Sequence, residues 1–411
     1  MLRQRVYAIA SGFEDCNDAS ALRFDPMHKL ALGILPKDEK TGASQPTLSR
    51  FENSVDDVSL RLLQELLVHT FIRMHKKAPR VVKLRMDATD DEVHGYQQMS
   101  FWNGFYQEEC YLPLFVFDDS GFPLAAVLRP GNAAPADAAL RTLKPIIKAL
   151  RLAWSDVRIE LTADAGFAVP ELYDFCEDNH IYYAIGIKPN HAFEHHANDL
   201  IRRCMAEFVE FGGEPLPLRN NRVLRQDDYR LWRQREERKR FESKEEGRMQ
   251  EHFEQDITIQ KFETFRYQAR SWRQEREIVM SCNYKDDGPQ LRYVVTNFKG
   301  RTARRLYEDI YCLRARCENW IKDLKNYLKC DRTSCQEFNA NQFRLLLHSF
   351  AYILLLEVKK QAELKAATIE TVQLQLIKIG VLVKETARRV WLHLASHCPM
   401  QKQFELAWQH L

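Results

Sequence analysis

The chain of 411 residues has no apolar run of roughly 18 residues, the length a helix needs to cross a bilayer. Val68–Ile72 is too short, and Leu345–Val358 is too interrupted. The first residues include Arg3 and Arg5 and no uninterrupted apolar stretch, so nothing there reads as a signal peptide. Charge of one sign is also scarce: 60 Lys and Arg face 57 Asp and Glu, a net charge of only +3. That excludes a histone-like polycation and leaves local basic patches as the only electrostatic route to a nucleic acid. None of the ten cysteines forms a C-x2-C pair. Cys312-x4-Cys317 and Cys330-x4-Cys335 are the pairs to weigh for zinc. On a helix the first pair is about 140° apart and diverges, so reduced, mostly buried thiols are expected. The expectation is a soluble cytoplasmic protein with no membrane partner, long enough to bury a large core in two or three parts.

Two segments end in an aspartate with the same local pattern. In Val81–Thr89, Val82, Leu84 and Met86 alternate with Lys83, Arg85 and Asp87. In Val157–Gly166, Val157, Ile159, Leu161 and Ala163 alternate with Arg158, Glu160, Thr162 and Asp164. Period two predicts strands, with each aspartate in the polar phase at the C-terminal end. A lone aspartate there is ordinarily a cap or turn residue. On parallel neighbouring strands, however, the two would sit where open α/β sheets place ligands.

The run Tyr311-x2-Arg314-x3-Glu318-x6-Lys325 reads as helix. At about 100° per residue its four polar groups fall within an arc of roughly 60°. Ile310, Leu313, Cys317, Trp320, Ile321, Leu324 and Leu328 fill the adjoining arc. A carboxylate on the rim of a buried face can bind a metal, and an arginine, a lysine and a tyrosine beside it suit a phosphate backbone. The plainer alternative is an amphipathic helix with an Arg314 to Glu318 surface pair.

The order of the other elements predicts an α/β fold. Strand 81–88 is followed by Tyr111–Phe117 and Leu124–Arg129, joined through Asp118-Asp119-Ser120-Gly121, a turn signal. Helix Pro135–Leu152, strand 157–164, helix 170–179 with Pro170 in its first turn, and strand Ile181–Ile187 come next. Three strands, helix, strand, helix, strand is the order of an RNase H-like core, a mixed sheet with flanking helices. A right-handed crossover would bring the first and fourth strands together.

These blocks resemble those of the D-D-E transposases of bacterial insertion sequences, the transposase DDE group 1 family, with its Y-R-E-K signature. Met86–Gly95, Phe101–Tyr106 and Cys110–Leu114 resemble its first-aspartate region. Thr162–Phe167 resembles the second, and Tyr293–Asn297 the strand before the glutamate helix. Gln45–Asn53 and Leu376–Gly380 resemble its terminal blocks. The resemblance implies that Asp87, Asp164 and Glu318 are the catalytic carboxylates and the ligands of Mg²⁺ or Mn²⁺. It implies that Tyr311, Arg314 and Lys325 hold phosphates. The implied reaction is cutting at the terminal inverted repeats of double-stranded DNA and strand transfer to target DNA, by a homodimer in a synaptic complex. It also implies a bacterial, nucleoid-associated setting. Family members carry residues before a block like Leu2–Ala10, so a shortened N-terminus is expected. The alternatives are a relic that only binds DNA and a metal-dependent nuclease without strand transfer. Asp90, Asp91 and His94 are expected to shape the turn after the first strand, a ligand or base role being the alternative.

The expected parts are residues 1–79, helical; 80–190, the first part of the core; 191–300, an insertion; 301–360, the second part of the core; and 361–411, a C-terminal region. The 154 positions separating Asp164 from Glu318 are too many for one loop. The family implies a mostly β insertion there, consistent with strand patterns at Phe262–Arg273, Ile278–Cys282 and Leu291–Phe298 and the turn Asp286-Asp287-Gly288-Pro289. Arg219–Arg240 carries nine Arg and Lys against four Asp and Glu, with Tyr229 and Trp232 interleaved. It is either a solvated helix face or a DNA-contacting arm, in which Arg233 and Arg235 are the assigned contacts. Ser44–Asn53 is either a packing helix or the second helix of a helix-turn-helix unit, with Ser44 or Thr47 as cap. Asp57–His75 reads as helix, Phe343–Lys359 as an apolar helix continued by a charged one to about Ile369, and Val390–Leu394 as a strand. Arg388 and Arg389 are further candidate DNA contacts.

Overall fold

The computed structural model describes residues 1–213, 218–219, 222–223 and 257–409. The chain forms two compact units, one from Met1–Val157 with Ala315–Leu411 and the other from Arg158–Arg314.

The first unit begins with helices α1 (Leu2–Ala10), α2 (Ala19–Leu22), α3 (Pro26–Ala31), α4 (Gln45–Asn53) and α5 (Asp57–Met74). α4 is a packing helix: Leu48 and Glu52 are buried, and the Glu52 carboxylate lies 2.6 Å from Nε of the equally buried Arg5. Ser44 precedes it but makes no capping bond to the backbone; its hydroxyl meets Thr47 instead. Strand β1 (Val81–Ala88) leads into a small sheet of β2 (Asp91–Glu92), β3 (Phe101–Asn103) and β4 (Glu108–Tyr111). β5 (Leu114–Phe117) and β6 (Pro123–Val127) then pair antiparallel as a hairpin, and β5 pairs antiparallel with β1. The single strand expected over 111–117 is therefore two. Pro113 has no N–H to give to a ladder, and the chain changes sheets there. Helix α6 (Ala139–Ala153) starts four residues later than its pattern indicated. The reason is Arg129, 2% exposed, whose Nη1 gathers the carbonyls of Ala134, Pro135 and Asp137 and fixes that stretch as a loop.

The second unit holds β7 (Arg158–Ala163), α7 (Pro170–Asp178) and β8 (Ile181–Ile187), with β7 and β8 parallel. Helix α8 (Glu194–Glu210) follows, then the short pair β9 (Leu218–Arg219) and β10 (Arg222–Val223). β11 (Ile259–Tyr267), β12 (Arg276–Lys285) and β13 (Gly288–Thr296) form an antiparallel meander. Its last strand pairs antiparallel with β8, so the sheet of this unit is mixed. The turn at Asp286-Asp287 forms as the residues indicated, closed by Gly288 at φ +96°. Among the described residues the region 191–300 thus supplies three long strands and a helix. The expected contacts Arg233 and Arg235, with Tyr229 and Trp232, lie outside the described residues. The unit ends with α9 (Ala303–Leu306) and a wider π-type turn at Tyr307–Tyr311.

Back in the first unit, α10 (Arg316–Lys322) leads to α11 (Phe338–Gln361), α12 (Ile369–Val372), the hairpin β14 (Val381–Glu385) with β15 (Val390–Leu394), and α13 (Gln401–Gln409). The charged continuation of α11 toward Ile369 does not form. Glu363 takes φ +57°, and the Leu364 N–H donates to the Lys359 carbonyl at 3.0 Å, a C-terminal cap. The order of strands and helices is that of the expected RNase H-like α/β core, and no described helix is long and apolar enough to cross a membrane.

Candidate active site

In the first unit Asp87 closes β1 and lies opposite Phe115 of β5. Its side chain is 7% exposed, and Oδ1 accepts from the Ala88 N–H at 3.0 Å. The alternation read in the sequence is present, but both faces of β1 are covered: Arg85 is as buried as Met86. That burial is possible because Arg85 is paired. Its Nε donates to Asp119 at 3.0 Å and its Nη2 contacts the same carboxylate closely. Asp119 also faces Lys83 at 3.6 Å and Arg316, the first residue of α10, at 3.8 Å. Burial works against ionisation of Asp119, but the hydrogen bond and charge of Arg85, with Lys83 and Arg316, outweigh it and hold the carboxyl below its ordinary range.

α10 carries Glu318 and packs on β1. Cys317 and Ile321 point into the core, which leaves Glu318 exposed. Trp320 sits 5.4 Å from the Phe117 ring and so close to Gly121 that a Cβ there would lie 2.7 Å from its Nε1. Gly121 also has φ +90°, so the β5–β6 turn is shaped twice over for glycine. Asp119 and Gly121 were read from the sequence only as turn residues. The structure makes them the contacts that seat the glutamate helix beside the Asp87 strand. Nothing local marks that role, because the partners are about two hundred positions away.

Lys325 reaches the loop that follows Asp87. Its Nζ donates to the Asp90 carbonyl at 2.5 Å and lies 3.4 Å from Thr89 Oγ1, 3.6 Å from Asp90 Oδ2 and 3.9 Å from Asp91 Oδ1. Asp91 is fully buried, and neither carboxylate oxygen takes a hydrogen bond. Burial drives its carboxyl well above the carboxylate range, opposed by Lys325 and reinforced by Asp331, Asp90 and Glu108. Lys325 thus holds the Thr89–Asp91 loop. His94 is exposed beside Glu92.

In the second unit Asp164 follows β7 and caps a short 3-10 turn, Ala165–Phe167, through Oδ1 and the Gly166 N–H at 3.0 Å. Oδ2 takes no hydrogen bond from the described residues. Tyr311 stands next to it. A Cβ on Gly186 of β8 would lie 2.5 Å from the Tyr311 hydroxyl and 3.0 Å from the Ala165 nitrogen, so the absence of that carbon lets the phenol approach the Asp164 turn. Burial raises the Tyr311 hydroxyl above its ordinary range, Asp164 adds to the rise, and Arg314 and Arg292 oppose it.

The continuous helix expected over Tyr311–Lys325 is divided. A π-type turn at Tyr307–Tyr311, a 3-10 turn at Cys312–Ala315, α10 and a second π-type turn at Asp323–Tyr327 replace it. The constant advance per residue behind the shared polar edge therefore does not hold. Tyr311, Arg314 and Asp164 belong to the second unit; Asp87, Glu318 and Lys325 belong to the first. Among the described residues no three His, Cys, Asp or Glu side chains form a group ready to hold a metal ion. Most of the ten cysteines are buried; Cys312 is exposed, and Cys335 and Cys398 are half-buried.

The family described as Transposase DDE domain group 1 matches residues 1–411. No curated protein matches the chain. Among solved structures the chain is similar to piggyBac transposase in a synaptic complex with hairpin DNA, at 9% identity over 90% of this chain and 68% of that one, with a TM-score of 0.41. It is also similar to Mos1 transposase in a paired-end complex with the left transposon end, at 13% identity over 56% of this chain and 70% of that one, with a TM-score of 0.18.

Proposed function

Because the chain belongs to the group 1 family of DDE-domain transposases, we propose that it cuts double-stranded DNA at the ends of a mobile element and joins those ends to target DNA, with Asp87, Asp164 and Glu318 as its catalytic carboxylates. The observation that carries this reading is the family match along the whole chain, supported by the resemblance of the blocks around Asp87, Asp164 and Glu318 to the family's motifs.

A phosphodiester is anionic and repels nucleophiles, so its cleavage needs charge neutralisation and in-line alignment. The three assigned side chains are hard anionic oxygen donors, the type that Mg²⁺ and Mn²⁺ take. Asp164 also keeps one oxygen without a hydrogen-bond partner among the described residues, which fits a ligand role. When bound, such ions supply Lewis acidity and an activated oxygen nucleophile. The chain's own groups do the rest. Glu318 is exposed on a helix seated by Trp320, so its carboxylate is presented at the surface of that helix. Arg314 and Lys325 offer cations to backbone phosphates, and Lys325 also fixes the Thr89–Asp91 loop behind Asp87. Tyr311, held as the neutral phenol, is a hydrogen-bond donor to a phosphate oxygen. Paired element ends call for two copies of the chain in the working complex.

The test is cleavage of a labelled duplex carrying the flanking inverted repeat, with Mg²⁺ or Mn²⁺, by the protein and its Glu318→Gln variant. Metal-dependent cuts at the repeat boundary and joined products, both lost in the variant, are expected. Cuts without joining point to a nuclease, and cleavage that survives Glu318→Gln removes Glu318 from the chemistry.

A further inference from the structure

The second unit has a cationic pocket at the end of its sheet away from Asp164. Arg158, Tyr182, Asn297, Lys299, Gly300, Arg301, Thr302 and Arg305 line a cavity of about 540 Å³. Arg158 begins β7 and Tyr182 lies near the start of β8, whereas Asp164 follows the last residue of β7. At about 3.3 Å per residue the six residues of β7 put the pocket roughly 20 Å from Asp164. It is therefore separate from the carboxylate end.

The charge of the pocket is not neutralised. Among the described residues Lys299, Arg301 and Arg305 have no carboxylate partner, and all three are exposed. Arg158 approaches Glu160 through Nε at 2.9 Å, and that buried nitrogen has no aligned hydrogen bond among the described residues. Four cations thus face one carboxylate. Gly300 at φ +71° turns the chain so that Lys299 and Arg301 both line the cavity. Asn297 anchors the base: its amide donates to the Ile181 carbonyl, and its oxygen accepts from the Tyr183 N–H.

The aromatic content argues about the ligand. The face of Tyr182 is covered by the Arg158 guanidinium, 4.0 Å from the ring centroid, and Phe298 packs 5.3 Å away on the same ring. The aromatic ring of the lining thus already carries a guanidinium, which competes with a stacked base. A polyanion recognised through its backbone fits this lining; a free nucleotide held by its base does not.

We propose that this pocket binds backbone phosphates of double-stranded DNA independently of sequence, as a second contact remote from the carboxylate end. It rests on the transposase reading only for the choice of DNA as the polymer. The test compares the wild-type chain, the triple variant Lys299→Gln, Arg301→Gln, Arg305→Gln and the control Arg304→Gln in binding a labelled random-sequence duplex across a salt series. Arg304 lies outside the lining and is paired with Glu308. Each phosphate contact contributes about 0.9 to the slope of log affinity against log salt. The triple variant should lose roughly 2 to 3 from that slope and bind at least about tenfold more weakly at low salt, with Arg304→Gln unchanged. Should the triple variant unfold, the three single variants decide, each expected to lose about 0.9. An unaltered slope overturns the proposal. So does a variant that loses thermal protection by inorganic phosphate while keeping its DNA affinity, because the pocket would then serve a small anion. Cleavage of the repeat substrate is scored separately. A wild-type protein that never cuts but shows the slope change keeps this inference without the enzymatic one.

Discussion

Asp119→Asn tests the claim that a turn carboxylate organises the first unit. Arg85 is 2% exposed in its side chain, and Asp119 supplies its carboxylate from a position 36% exposed. Removing one partner of a fully buried ion pair costs about 3–5 kcal/mol, because the remaining charge is left in a poor dielectric. Water can reach the Asp119 side of this pair, so the cost is discounted to about 2–3 kcal/mol, at or below the bottom of that range. The contacts to Lys83 at 3.6 Å and Arg316 at 3.8 Å are exposed and add less than about 1 kcal/mol each. The assay is the midpoint of denaturant unfolding, with Lys83→Gln as the control for a contact on the rim. The pH dependence follows from the depressed carboxyl. A group whose folded pKa lies below its unfolded value stabilises the fold above the unfolded pKa, and that contribution is lost as pH falls through the folded one. The wild-type chain should therefore lose stability in acid below about pH 4, and the Asp119→Asn variant should lack that share of the loss. A variant within about 0.5 kcal/mol of wild type, the range of ordinary surface substitutions, would refute the hub.

Gly186→Ala puts a methyl group 2.5 Å from the Tyr311 hydroxyl and 3.0 Å from the Ala165 nitrogen. A loss of about 1–3 kcal/mol is expected, and Tyr311→Phe in the same chain should recover part of it, read as a coupling of order 1 kcal/mol in a double-mutant cycle. No coupling would mean that the clash is with the Asp164 turn alone. His348 is 1% exposed, and its pKa is lowered from 6.5 to about 3, first by burial and further by the nearby Arg344 and Arg5 charges. Its contribution to stability is whole above pH 6.5 and falls away as pH drops toward 3. The unfolding midpoint followed over that window should show a slope that His348→Gln flattens.

Much of the core was legible because its strands carry short-range signals. Val82, Leu84 and Met86 against Lys83, Arg85 and Asp87 announced β1, and the position of Asp87 at its end followed from counting. Pro170 and Gly288 marked a helix start and a turn for reasons internal to those residues. The boundaries that moved did so for reasons no window contains. Arg129 draws in three carbonyls and delays α6, and Pro113 moves the chain from one sheet to another. The polar phase of β1 is largely covered and not solvated, because Asp119 compensates Arg85 across 34 positions.

The division of Tyr311–Lys325 is the most instructive miss. An arc of four polar groups follows from a fixed advance per residue, and the conclusion is only as good as that constancy. A π-type turn adds a residue to the local ladder and a 3-10 turn removes one, so the phase accumulated between Tyr311 and Lys325 is not the α-helical value. What survives is what does not depend on phase. Glu318 lies between the inward residues Cys317 and Ile321 on a regular α-helical segment, so its own outward direction is secure. Tyr311 meets Asp164 through Gly186, and Lys325 meets Thr89–Asp91. Tyr311 and Lys325 thus each have an observed local partner, and the four polar groups of the signature need not share one helix edge. The catalytic assignment we propose consequently rests on Glu318 and the two strand-end aspartates, and Glu318→Gln, which replaces an exposed carboxylate by an amide of the same size, is the substitution that addresses it.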